Sequence, residues 1–229
     1  MSKRAESGFT LRREFKDLPD FHNHWELVCT VSRAKTVCDN LRGHKVIALD
    51  IETDATLDPR LGEIVLVQVS DGRKAFLLHA SSLGVEAMIS VLSPLLADTS
   101  VRKIIHHAPF DAGWIFYHYG ISVWPILDTR LLARRCGIPS GERSLAPLSQ
   151  RFLGIPLPKT LATSFLAAGQ VPDQAQCGYA ARDVLVLHPL ALALSAMLFD
   201  AECGADLVGT VAGMLDVLDG DAPLPERLP

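Results

Sequence analysis

Hydrophobic and polar positions along this chain fall into two regimes. Over residues 26–78, short apolar runs are separated by polar turns, the pattern of strands. Residues 26–31 read as a first strand, followed by a helix over 32–42 that Gly43 terminates. Residues 46–53 form an apolar strand ending in acids, and 64–69 and 75–78 are two further strands. Ser70-Asp71-Gly72-Arg73 between those two has the Asp-Gly centre of a hairpin turn. From there helix and strand alternate: a helix over 83–96, a strand at 103–105, a helix over 110–119, and a strand at 123–127 entering a helix near Asp128. Past Gly137 the pattern is helical, in segments near 144–153, 159–168, 173–199 and 205–218. Strands followed by alternating α and β predict an α/β domain: a mixed sheet flanked by helices, with a helical C-terminal half.

Nothing divides the chain internally. Residues 1–24 read as a polar N-terminal arm, 25–200 as one domain, and 201–229 as a C-terminal helix and tail. At 229 residues and 48% hydrophobic, with only 7% aromatic, the core must be built largely from Leu, Val, Ile and Ala. The formal net charge of −4 argues against coating long nucleic acid by charge alone, and leaves a small substrate gripped locally. The five cysteines are scattered, with no CxxC spacing, which predicts reduced thiols and a cytoplasmic protein rather than a zinc site. The first residues carry no apolar stretch of the kind a signal peptide needs. The run at 184–199 is too short, and too broken by His188 and Pro189, to cross a membrane; a core helix or a self-association helix both fit it.

Three places carry acids in telling contexts. On the strand at 46–53, Asp50 and Glu52 point the same way, about 7 Å apart. Two such carboxylates repel each other and resist burial, which a bound cation would repair; a strand running out into a polar loop fits equally. Asp111 falls in the first turn of its helix, where the macrodipole alone would favour a carboxylate. Tyr179 and Asp183 stand four residues apart on one helix face, and Asp173 with Gln176 resembles a capping box that sets that helix's phase. Asp128 reads as a helix cap. The pair His106-His107 offers no third metal ligand in register, so a strand-end histidine satisfied by a neighbour is the simpler reading. Arg60, Lys159 and Arg182 are cations that could meet phosphates, or plain solvated charge.

Taken together, Asp50-Ile51-Glu52-Thr53, His107-Ala108-Pro109-Phe110-Asp111, and Tyr179 with Asp183 resemble the three motifs of the DEDDy 3′–5′ exonucleases, most of all the ribonuclease D group. Ile64 to Val69, Asp128-Thr129-Arg130 and Arg143-Ser144-Leu145 with Leu153-Gly154 are similar to elements around those motifs, so the resemblance covers residues 28–195. It implies an RNase H-like fold, with a central mixed five-stranded sheet whose second strand is antiparallel. It also implies two divalent cations, Mg²⁺ or Mn²⁺, which carboxylate oxygens suit. By the same resemblance Asp50 would bridge both ions. Glu52 and Asp183 would hold the one beside the attacking water, and Asp111 the other. Tyr179 would orient that water, and Thr53, His107, Phe110 and Arg182 would contact substrate.

The expected activity is release of nucleoside 5′-monophosphates from the 3′ end of single-stranded, short RNA. Single-stranded DNA is the alternative substrate, and a silent RNA- or partner-binding scaffold the alternative from another class. Two positions depart from the family pattern. His107 stands where Asn is common, and Thr163-Ser164-Phe165-Leu166 lies where a Ser-Asp-Trp element is frequent. Short relatives of this kind imply a stand-alone catalytic core, some of them homo-oligomers.

Overall fold

A computed structural model of the protein describes residues 24–54, 56–157 and 169–203. All but His24 of the arm expected at 1–24, the segment at 159–168 with Lys159, and the tail beyond 203 lie outside the described residues. Among the described residues, six strands and eight α-helices follow one another. They are β1 (Trp25–Val28), α1 (Val31–Leu41), β2 (Val46–Thr53), β3 (Ile64–Ser70), β4 (Ala75–His79), α2 (Ala80–Leu83) and α3 (Val85–Leu96). Then come β5 (Arg102–Ile105), α4 (Ala108–Tyr119), β6 (Ile126–Asp128), α5 (Thr129–Arg135), α6 (Leu145–Phe152), α7 (Gln174–Leu185) and α8 (Leu187–Cys203). A short 3₁₀ turn at Ser140–Glu142 precedes α6.

The strands form one mixed sheet in the order β1-β4-β3-β2-β5-β6, one strand more than expected. β2, β3 and β4 pair antiparallel, with β3 the second of that run as expected, and β1, β5 and β6 join in parallel. The edge strands β1 and β6 are only four and three residues long. Runs so short are held by their neighbour's ladder rather than by their own propensity. β6 also sits later than the apolar run at 123–127 suggested: Val123 is buried in the approach instead of in the ladder.

The sheet is covered on both faces. On one, Leu49, Ile51, Val67 and Val69 pack against α1, α3 and α4; on the other, Ala48, Leu66 and Ile104 pack against α7. β3 is buried over its whole length, as a central strand covered on both sides must be. The expected helix at 173–199 is two helices. Pro189 has no N–H to offer the carbonyl of Leu185, so α7 closes at Leu185 and Pro189 falls in the first turn of α8, where a missing donor costs least. The stretch Gln174–Phe199 is long and apolar enough to span a membrane, but 61% of its most apolar window is buried inside the domain. The core accounts for those side chains. Cys29, Cys38, Cys136 and Cys177 are free thiols.

Candidate active site

Asp50 and Glu52 leave β2 on the face that α7 covers, while Leu49 and Ile51 turn to the opposite core. β5 pairs with β2 only along Val46–Ala48. Beyond Ala48 that edge of β2 is open, and the chain leaving β5 turns directly into α4, which delivers Asp111 to the opening. Asp111 accepts hydrogen bonds from the Ile51 backbone N–H and from its own, and shares one with the Asp50 carboxyl. It is 3% exposed.

The turn that aims Asp111 is tied down from α5. The Asp128 carboxylate accepts four backbone N–H groups: Arg130 at 2.8 Å and Leu131 at 3.1 Å, which cap α5, and His107 at 3.3 Å and Ala108 at 2.9 Å, which start α4. The capping role expected of Asp128 holds, and its second reach, to α4, went unseen in the sequence. His107 occupies the left-handed region at φ 69°, a conformation uncommon for any residue with a Cβ. Thr129 completes the junction, meeting His106 Nδ1 at 2.9 Å and donating to the Ile105 carbonyl at 3.4 Å. His106 is thus the satisfied strand-end histidine, and burial lowers its pKa to about 4.

α7 supplies the third side. Its capping box is formed as expected: Asp173 accepts from Gln176 N at 2.8 Å, and the Gln176 side chain accepts from Asp173 N at 2.9 Å. The phase so fixed brings Tyr179 and Asp183 over the acids of β2, with the Tyr179 hydroxyl hydrogen-bonded to the Asp183 carboxylate. Oxygens of Asp50, Glu52 and Asp183 lie within 4.8 Å of one another.

This is an electrostatically strained arrangement. Burial is the first cause that raises the pKa of each acid. It holds Asp111 and Asp183 near 7, and it pushes Asp50 and Glu52 well above the carboxylate range, with further contributions from the neighbouring negative charges. Burial and Asp183 likewise push the Tyr179 phenol above its ordinary value, so it stays a protonated donor. The donor set is all oxygen, with no thiolate or imidazole among the converging atoms, and suits hard divalent cations such as Mg²⁺ or Mn²⁺. The cluster fits cations better than it fits itself.

Of the residues expected at substrate, Thr53 is half-buried at the β-bulge closing β2 and donates to the Thr56 carbonyl. Phe110 packs on Trp114, with ring centroids 5.7 Å apart. His107 is exposed, and Arg182 donates to the Gly178 carbonyl one turn back while its charge favours the ionised form of Asp183. Arg60 is an ordinary surface cation, paired with Asp58 at 2.6 Å. Gln68 is the site neighbour missed from sequence. It stands directly across from Asp50 and is fully buried, with its amide NH₂ 3.5 Å from a Glu52 oxygen. A lone amide in the otherwise apolar run of β3 was the available signal.

Known proteins resemble the chain in both sequence and fold. It is 30% identical to ribonuclease D of Escherichia coli over 169 residues, 73% of this chain but 43% of that protein, so it spans less than half of the relative's length. The solved structure of the Escherichia coli enzyme, an exoribonuclease involved in structured RNA processing, superposes with a TM-score of 0.68 at 23% identity, over 87% of this chain and 51% of that one. A nuclease solved in its apo form matches at a TM-score of 0.63 and 26% identity, over 86% of this chain and 89% of that one. Brucella melitensis NrnC matches at 0.65 and 24% with the same coverage, and has been solved also with bound Mg²⁺ and bound to pGG. Residues 26–198 match the 3′–5′ exonuclease family over three-quarters of the chain, and the chain belongs to that family.

Proposed function

We propose that this protein is a metal-dependent 3′–5′ exoribonuclease that removes nucleoside 5′-monophosphates from single-stranded, short RNA. The observation carrying the reading is the convergence of the Asp50, Glu52 and Asp183 oxygens within 4.8 Å, with Asp111 hydrogen-bonded to Asp50, in a chain of the 3′–5′ exonuclease family. Ribonuclease D and the pGG complex of NrnC favour RNA and short substrates, and the net charge of −4 favours a locally held substrate.

Two divalent cations in such a site stabilise charge on the phosphate and supply a more acidic water. Asp50, Glu52, Asp183 and Asp111 would hold them through their carboxylate oxygens. Tyr179 remains a hydrogen-bond donor at neutral pH, a role suited to orienting the attacking water rather than deprotonating it. Phe110 offers a ring face to a terminal base. Thr53, His107 and Arg182 would meet the substrate backbone.

The test is turnover with Mg²⁺ or Mn²⁺ on 5′-labelled RNA dinucleotides, a single-stranded 20-mer RNA and the matching DNA. Asp50→Ala serves as control. Stepwise loss from the 3′ end of RNA, fastest on dinucleotides and abolished in Asp50→Ala, is the expected result. Faster loss from DNA would replace the substrate, and no cleavage of any of the three would refute the activity.

A further inference from the structure

We propose that Gln68 is a positioning residue for the cation site: its amide orients Glu52 and offers its carbonyl oxygen to a water arriving with the ion. The inference rests on the metal-site reading above and adds to it a residue from β3, which supplies none of the acids.

Three observations carry it. Gln68 is 0% exposed in the strand that lies between β2 and β4, so its backbone is fixed by ladders on both sides. Directly opposed residues of an antiparallel pair project to the same face, so pairing with Asp50 puts Gln68 on the face of the acids, diagonal to Glu52. Its Nε2 reaches Glu52 Oε1 at 3.5 Å, a long contact at the edge of hydrogen bonding.

The other end of the amide is the telling one. Gln68 Oε1 is buried and has no hydrogen-bond partner among the described residues. A buried orphan acceptor is destabilising, and an apolar residue would fill this position in β3 at no such cost. With a cation bound, Glu52 is ionised and only accepts, so turning the amide over does not help there: the NH₂ must face Glu52 and the oxygen must face elsewhere. A donor from outside the chain resolves the conflict, and a divalent cation of this class keeps several of its waters. The ion then satisfies both halves of the site. Its charge draws the carboxylates together, and a water in its shell meets the Gln68 carbonyl, leaving the NH₂ to hold Glu52 in one orientation.

The experiment measures Mn²⁺ binding by calorimetry, together with thermal unfolding in chelator, for the wild type, Gln68→Met, Glu52→Gln, the double variant and Asp50→Asn. Methionine keeps the length of the side chain and removes its hydrogen bonds. Loss of an outer-shell partner weakens metal affinity by about 10–100-fold, and that is the expected effect of Gln68→Met, while its unfolding temperature in chelator is unchanged or higher because the orphan is gone. A merely structural glutamine gives the opposite pattern, lower stability with unchanged affinity. In the Glu52→Gln background the further change to Met is expected to add only a small part of its effect, since the carboxylate it orients is absent. Should Gln68→Met fail to fold, Gln68→Asn, one methylene too short to reach Glu52, takes its place. Mn²⁺ bound by the wild type and lost in Asp50→Asn, but held by Gln68→Met within about twofold of wild type (under 0.5 kcal/mol), overturns the role of Gln68 alone. No Mn²⁺ binding by the wild type overturns the metal site itself.

Discussion

In chelator, the buried acids should make this protein less stable as pH rises through neutrality, and Asp111→Asn should isolate the effect. The folded state holds the proton of Asp111 up to about pH 7, whereas the unfolded chain releases it near the ordinary value of 3.8. For a raised acid the sign is fixed: the stabilisation is complete below the unfolded pKa and is lost as pH climbs to the folded one. A displacement from 3.8 to about 7 corresponds to about 4 kcal/mol at about 1.4 kcal/mol per pH unit. Asp50 and Asp111 share one hydrogen-bonded proton, so the figure belongs to the pair. For a chain of this size it amounts to about 8–16 °C in unfolding temperature.

A raw pH profile would hide this. Burial lowers His106 and His188 to about 4, so between pH 6.5 and 4 the unfolded chain takes up protons that the folded chain refuses. Their contribution falls with falling pH, opposite to that of the acids and in an overlapping window. The difference between wild type and Asp111→Asn cancels the histidines. Urea unfolding at pH 4.5, 6 and 7.5 in chelator should show the wild type losing ground to the variant, by about 3 kcal/mol across the range, the rest of the effect lying below pH 4.5. Saturating Mn²⁺ at pH 7.5 should return the wild type by about 2.7 kcal/mol at 100 times the dissociation constant, and the variant by less. A difference that stays flat with pH, or grows in favour of the wild type, would refute the account of Asp111 as a strained acid awaiting a cation.

Three further outcomes follow from other parts of the domain. Asp128→Ala removes the acceptor of four backbone N–H groups at two helix starts and should cost about 2–4 kcal/mol in urea unfolding; a loss below about 0.5 kcal/mol would deny the clamp. Glu26, hydrogen-bonded to Arg33 and Lys74, has its pKa lowered to about 2, so its contribution is present above 4.5 and vanishes as pH falls through 2. After solvent screening it is worth about 1 kcal/mol, and the gap in unfolding temperature between wild type and Glu26→Gln should close between pH 5 and 2, not persist. Gly62→Ala would drive a Cβ into Thr56 Cγ2 and Asp54 Oδ1, so the loop beyond β2 must shift. A loss of about 1–3 kcal/mol is expected, and unchanged melting would mean the loop yields freely.

The parts of this fold that were legible are those where local chemistry decides alone. The Asp-Gly turn, the Asp173 and Gln176 capping box and the alternation of Leu49 and Ile51 against Asp50 and Glu52 each depend on neighbours a few residues away, and each appears where the pattern put it. Misreadings fell where a distant partner decides. β6 forms at Ile126–Asp128 because its partner on β5 ends there. Asp128 shows the limit most clearly. Its sequence context identifies a cap, yet half of its hydrogen bonds go to a helix start twenty residues earlier, which no local pattern reveals.

The same division explains why the acids converge at all. No single element holds them: β2 brings two, and α4 and α7 one each, from parts of the chain more than a hundred residues apart in number. Beside the Asp111 hydrogen bonds to Ile51 and Asp50, each element has anchors of its own that do not involve the acids. α4 is held by Asp128, α7 by its capping box and its apolar packing on the sheet, and β2 by the β3 ladder. That independence is what allows four carboxyls to be forced together. Were the acids themselves responsible for docking the elements, their repulsion would open the site. With the cost spread over rigid neighbours, the strain persists as carboxyls that keep their protons above the ordinary range, and the binding of cations in place of those protons is the relaxation it favours. Converting Asp50, Glu52, Asp111 and Asp183 one at a time to their amides should therefore raise stability in chelator while lowering Mn²⁺ affinity in every case. A variant that instead unfolds would show that its carboxylate helps to dock its element, and the independence argued here would fail for that element.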